Sequence, residues 1–296
     1  MGLKCLSMIF LTMILFVQSE SNAQYSIQAI YGEDNRKDIF DSPNWAKKLS
    51  PSVAAKIPKE LMVSSGNVFN VTGTAMLGKR YCSKIRFAEQ HIIANCTGFL
   101  IGNKYLATAA HCMKEEKDCN EFYWSFDVSL KQPGDASYRS IEAARTYQCK
   151  KVVARQFNQF EGLDFAIVEL DRPVVDRTPL ELDFETLVDV GLPIAMIGHA
   201  SGLPLKLSDN AKVFNVTDRS FQAELDSFHG NSGSPIFNEL NGKVIGITSM
   251  GHGGYVWDGE GSTCKIPQVC KPGDNCFKTL LSKITNLKED FQKLAQ

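Results

Sequence analysis

Short apolar runs, each closed off by turn residues, constrain this chain more than any other feature. Between Asn67 and Leu170 they include His91–Ala94, Thr97–Ile101, Phe122–Leu130 and Phe165–Leu170. The pattern resumes after Leu192 with Pro193–Ile197, Val213–Val216, Ser234–Phe237 and Lys243–Ser249. Runs this short and this regularly interrupted predict an all-β barrel or sandwich rather than helices or alternating βα units. The interval Asp171–Pro179 holds two prolines and four charges, and reads as a linker between two such halves. The last segment changes period. Phe277, Leu280, Leu281, Ile284, Leu287, Phe291 and Leu294 recur at helical spacing, which predicts a C-terminal amphipathic helix docked on its own domain.

The N-terminus carries the marks of export. Lys4 supplies a positive charge, Cys5 to Val17 is apolar, and Ser21-Asn22-Ala23 offers small residues for cleavage before Gln24. The apolar run is shorter than the roughly 20 residues a spanning helix needs. Residues 1–23 are therefore expected to be a signal peptide. Residues 24–65, polar and irregular, read either as a pro-region or as an attached N-terminal arm, with the main domain over 66–296. A secreted protein in an extracellular or periplasmic compartment is expected, with no membrane attachment after processing. A formal charge of −1 offers no basic surface for nucleic acid.

Nine cysteines occur, and with Cys5 in the leader an even set remains: Cys82, Cys96, Cys112, Cys119, Cys149, Cys264, Cys270 and Cys276. In an exported chain such a set predicts disulfides. Cys119 with Cys149 is one plausible pair, and one of the last three reaching back to Cys82 is another. No Cys-x-x-Cys occurs, so neither a zinc site nor any other metal or cofactor is expected.

Three motifs carry chemistry. Gly230-Asn231-Ser232-Gly233-Ser234-Pro235 sets a serine between glycines. Gly230 permits close approach of backbone to a substrate carbonyl, and Gly233 permits a sharp turn behind the serine. The N–H groups of Gly230 and Ser232 then converge where an oxyanion would form. Upstream stand Thr108-Ala109-Ala110-His111-Cys112 and Asp164-Phe165-Ala166-Ile167-Val168-Glu169-Leu170. Their order, His then Asp then Ser, is one of several triad orders found on unrelated folds.

The three motifs, in that order, resemble those of trypsin-like (chymotrypsin-fold) serine peptidases, including secreted bacterial trypsin-like and glutamyl endopeptidase-like enzymes. The resemblance covers about residue 66 to the C-terminus, and Tyr31-Gly32-Glu33-Asp34-Asn35-Arg36 is similar to a stretch in bacterial members. It implies two six-stranded antiparallel β-barrels with a C-terminal α-helix and an active site in the cleft between the barrels. It also implies His111 as general base, Asp164 as its orienting partner, Ser232 as nucleophile, and a Cys96–Cys112 disulfide beside the histidine. The expected function is a monomeric serine endopeptidase acting on protein or peptide substrates. A non-catalytic binding protein on the same scaffold is the alternative from another class.

The resemblance extends to a specificity pocket. Asp226, six residues before Ser232, matches the trypsin pocket-floor aspartate, and Ser249 and Gly251 match substrate-binding positions of the wall. Cleavage after Arg or Lys is expected, with cleavage after Glu as the alternative. Several departures bear on this. Phe228 stands where trypsin has a bracing cysteine, Met250 replaces a tryptophan, and Thr248 stands where glutamyl endopeptidases have a histidine. Asn231 replaces the aspartate that pairs with a freed N-terminus. Activation is therefore expected not to need that ion pair, and removal of residues 24–65 either to matter little or to act by unblocking the cleft. His199 and His252, in glycine-bearing loops, are expected to be solvated, and His229 to line a pocket lip.

Overall fold

The computed structural model describes residues 30–250, 254–271, 274 and 276–294. Residues 1–23, read above as a leader, and Gly251 and His252 lie outside the described residues.

Twelve strands form two closed antiparallel barrels. The first uses β1 (Val53–Pro58), β2 (Cys96–Gly102), β3 (Tyr105–Thr108), β4 (Phe122–Phe126), β5 (Thr146–Asn158) and β6 (Leu163–Leu170). Its order is β5-β6-β3-β2-β1-β4, closed by β4 on β5. The second uses β7 (Pro193–Gly198), β8 (Lys206–Val216), β9 (Ser220–Ala223), β10 (Pro235–Asn238), β11 (Val244–Met250) and β12 (Thr279–Lys283). Its order is β7-β10-β11-β12-β9-β8, closed by β7 on β8.

Side chains alternate across a strand, so a strand with one face inside a barrel and the other against a second barrel is buried on both faces. Strand β6 is such a strand: all eight of its residues are buried. Ala166, Val168 and Leu170 pack inside the first barrel with Leu100, Leu106 and Trp124. Leu163, Phe165 and Ile167 face the opposite way and join Ala195, Ile197, Phe237 and Ile247 of the second barrel in one shared core. That shared core fixes the two barrels relative to each other, and the candidate site lies along their seam.

Two expectations change. The C-terminal helix is shorter than its periodicity implied. Thr279–Lys283 is strand β12, paired with both β9 and β11, and only α1 (Lys288–Lys293) is α-helical. Its apolar positions also fit a strand buried on both faces, and closure of the barrel selects the strand. The boundary at residue 66 also moves. Strand β1 pairs with β2 and β4, so the first barrel begins before residue 66. Lys37–Asp38 further upstream pairs with β8, and Ile30–Tyr31 runs parallel to Val269–Cys270. From residue 30 onward, the segment 24–65 supplies a strand to the first barrel and an added edge strand to the second.

Four disulfides join Cys82–Cys264, Cys96–Cys112, Cys119–Cys149 and Cys270–Cys276.

Candidate active site

His111 lies in a short 3-10 turn that follows β3. Its neighbour Cys112 is tied back to Cys96 at the start of β2, and Arg155 Nε donates to the Ala110 carbonyl at 3.0 Å. Lys56 of β1, buried, donates to the Cys112 carbonyl and at 3.0 Å to Asp118. The turn is thus held from three strands. His111 Nδ1 lies 2.6 Å from Asp164 Oδ2, and its backbone N–H donates to Asp164 Oδ1 at 3.1 Å.

Asp164, near the start of β6, is 1% exposed. A buried carboxylate must have its lone pairs occupied. Both oxygens are: besides His111, Ser249 Oγ donates to Oδ2 at 2.7 Å. Ser249, expected at a substrate-binding position of the pocket wall, reaches its side chain across the seam from β11 and holds the aspartate.

The serine loop connects to the first barrel through a residue that motif reading passed over. Thr97 of β2, fully buried, donates its N–H to the Ser232 carbonyl at 2.8 Å and its Oγ1 to the Gly230 carbonyl at 2.7 Å. Gly233 is required there for two reasons. Its φ is +87°, and a Cβ on it would sit 2.1 Å from the Thr97 carbonyl and 2.2 Å from Thr108 Oγ1. Gly230, at φ +94°, is similarly confined, 2.2 Å being left to the His199 carbonyl. The Asn231 carbonyl accepts from the Ser234 N–H at 2.9 Å. Because the peptide is planar and trans, this turns the Ser232 N–H the opposite way. Among the described residues neither that N–H nor that of Gly230 is spent on a protein acceptor. Two unspent donors beside a serine, in a site with a histidine-carboxylate pair, suit acyl transfer.

Asp226, expected at a pocket floor, is packed against the chain's own N-terminal segment. It is 5% exposed, and its Oδ1 accepts the Tyr31 N–H at 2.8 Å from the chain's own N-terminal strap. Burial pushes its carboxyl up to about 6, while the nearby Arg36 guanidinium works the other way. The carboxylate that would receive a basic side chain is covered and partly spent. Thr248 turns into the second barrel, donating to Met196 Sδ at 3.1 Å. His199 is buried, not solvated: Nδ1 lies 2.8 Å from the Leu203 carbonyl, and burial lowers its pKa to about 4. His229 is exposed and, with Gly230, Arg80 and Tyr81, lines a 230 Å³ cavity beside the serine loop. Larger hollows of 420 and 660 Å³ lie away from His111. Cys96 and Cys112 approach His111, but both sulfurs are in a disulfide and supply no thiolate to a metal.

Two closed six-stranded barrels meeting at such a seam define the class: a chymotrypsin-fold protein. The trypsin-like peptidase domain model matches residues 96–247, and the chain belongs to the trypsin-like peptidase family. It is 25% identical over 219 residues to a glutamyl endopeptidase of Bacillus licheniformis, covering 70% of this chain. The chain spans 63% of that relative's length. Among solved structures, the VesB protease of Vibrio cholerae superposes with a TM-score of 0.54 at 15% identity, over 88% of this chain and 67% of that one. A Glu endopeptidase structure solved with MPD gives 0.51 at 14% identity, over 90% and 98%. At these identities the structures bear on fold alone.

Proposed function

We propose that the chain is a secreted serine endopeptidase that cleaves proteins or peptides through an acyl-enzyme. Ser232 Oγ attacks the scissile carbonyl while His111 takes its proton, and the oxyanion is received by the N–H groups of Gly230 and Ser232. His111 then passes the proton to the leaving amine, and water, deprotonated by His111, releases the acyl group. Asp164 holds the tautomer with the proton on Nδ1 and stabilises the imidazolium. The observation that carries this reading is the Ser249–Asp164–His111 chain, with contacts of 2.7 and 2.6 Å. Export is supported by the leader sequence and by the four disulfides.

Cleavage after an acidic residue fits better than cleavage after a basic one. Asp226 is covered by Tyr31 and sits beside the Arg36 charge, so it offers a substrate cation little net attraction. The name of the Bacillus relative points the same way. The test is hydrolysis of matched peptides presenting Glu, Arg, Lys or Phe before the bond, with Ser232→Ala beside the wild type. The expected result is turnover of the Glu peptide by wild type alone. Equal hydrolysis by the variant refutes the mechanism, and turnover confined to Arg and Lys peptides refutes the preference.

A further inference from the structure

The stretch Tyr31–Arg36 has no part in the proposed chemistry, yet it packs against the serine loop. Arg36 is 1% exposed, and long charged side chains are almost never buried this fully unless paired. Asp34 grips it as a fork, Nε to Oδ1 at 2.8 Å and Nη2 to Oδ2 at 2.7 Å. The guanidinium lies 4.2 Å from the centroid of the Phe228 ring and 5.3 Å from that of Phe87. Phe87 itself has a φ of +62°, a conformation costly for a bulky residue and kept only where surrounding contacts enforce it.

Phe228 is the residue through which this packing reaches the serine. Its carbonyl accepts the Asn231 N–H at 3.0 Å, closing the turn that contains Gly230. It occupies the position where the trypsin resemblance has a bracing cysteine, so the segment before Ser232 lacks that covalent tie. Apart from Asp226 Oδ1, which accepts the Tyr31 N–H, the segment's buried polar side chains do not anchor it. Ser227 Oγ, both amide atoms of Asn231 and Asp226 Oδ2 are buried without hydrogen-bond partners. What holds it from the N-terminal side is the Tyr31–Asp226 bond, the packing of Ile30 on Phe228, and the Arg36 stack.

We infer that Arg36 is a positioning residue for the proposed peptidase reaction: stacked on Phe228, it clamps residues 226–232 in the conformation that presents the Gly230 and Ser232 N–H groups. A clamp of this kind acts on the oxyanion donors, so its loss lowers turnover per folded molecule more than substrate binding. A merely structural cation, by contrast, lowers global stability and leaves turnover per folded molecule unchanged. The inference rests on the peptidase reading for its kinetic consequence but not for its structural one.

The test compares the full-length protein with Arg36→Met and Arg36→Lys by hydrogen–deuterium exchange and by kinetics on a peptide that the wild type cleaves. In Arg36→Met, exchange at the hydrogen-bonded amides of Asn231, Gly233 and Ser234 is expected to rise about tenfold or more, while that of β6 stays unchanged. kcat is expected to fall by a similar factor, with KM within about twofold. Arg36→Lys keeps the charge without the fork and should recover part of both losses. A folded Arg36→Met protein with wild-type exchange over 226–234 overturns the inference. If that variant does not fold, Phe228→Leu tests the same contact from the other side, and wild-type exchange there overturns it equally. A wild type that cleaves nothing would sink the peptidase reading and leave the exchange result standing.

Discussion

The His111–Asp164 half of the site and the Ser232 half are held in place by different physics. In the first, every polar atom of the buried carboxylate is matched: Asp164 receives His111 twice and Ser249 once. In the second, polar atoms of Ser227, Asn231 and Ser234 are buried without partners, and shape is imposed by close approach. Gly230 and Gly233 admit backbone contacts that no side chain would allow, and Thr97 latches two carbonyls of the loop. Hydrogen bonds fix the direction of a ring and a carboxylate, whereas steric confinement fixes the path of a backbone. Each half needs what its task requires: one orients a proton acceptor, the other aims two N–H groups.

Substitutions should therefore fail in different ways. The largest effect is expected from Asp164→Asn, which keeps the shape but favours the wrong tautomer of His111. Turnover should fall about 10⁴-fold, roughly 5.5 kcal/mol of barrier. The measurement is kcat beside a melting curve, and a loss below tenfold would show that the hydrogen bonds do not set the histidine. Gly233→Ala attacks the steric half. The left-handed backbone costs about 1–2 kcal/mol and the overlap with Thr97 adds to it, for a total of about 3–4 kcal/mol of stability by denaturant titration. Gly242, at φ +72° with open space around it, is the control. Its alanine variant should lose only the backbone part, and equal losses at both glycines would remove the argument from confinement.

Asp226→Asn should have the smallest effect, and of opposite sign. A carboxyl raised to about 6 binds more protons folded than unfolded between about pH 4 and 6, so its contribution to stability falls as pH rises through that window. Above pH 6 the cost of the buried charge is fully present. Asn keeps an acceptor for the Tyr31 N–H and removes that cost, so a gain of about 1–2 kcal/mol is expected at pH 7.5 and little change at pH 4.5. A loss of stability at pH 7.5 would mean that Asp226 is paired more strongly than its neighbours indicate.

The barrels were legible because their strands are short, apolar and bounded by turns. Strand β1 was not, since Val-Ala-Ala-Lys-Ile-Pro carries a lysine that is buried by reaching the His111 turn, a contact invisible along the chain. Thr279–Lys283 fits helix and strand spacing alike, and only pairing with β9 and β11 decides. Within the site, His111 and Ser232 stand out because small residues flank them, and Asp164 because it is a charge at the head of an apolar run. Thr97, Ser249 and Arg36 do not. Each acts across a gap of many residues, and Arg36 sits in a polar stretch where a charge would ordinarily be solvated.

The central claim is that both halves serve one nucleophile. Reaction of the purified protein with a fluorophosphonate, followed by mapping of the adduct by mass spectrometry, tests it most directly. The account predicts one phosphonyl group per molecule, carried on Ser232 and absent from Ser232→Ala. An unlabelled wild type, or a label on any other residue, would contradict it.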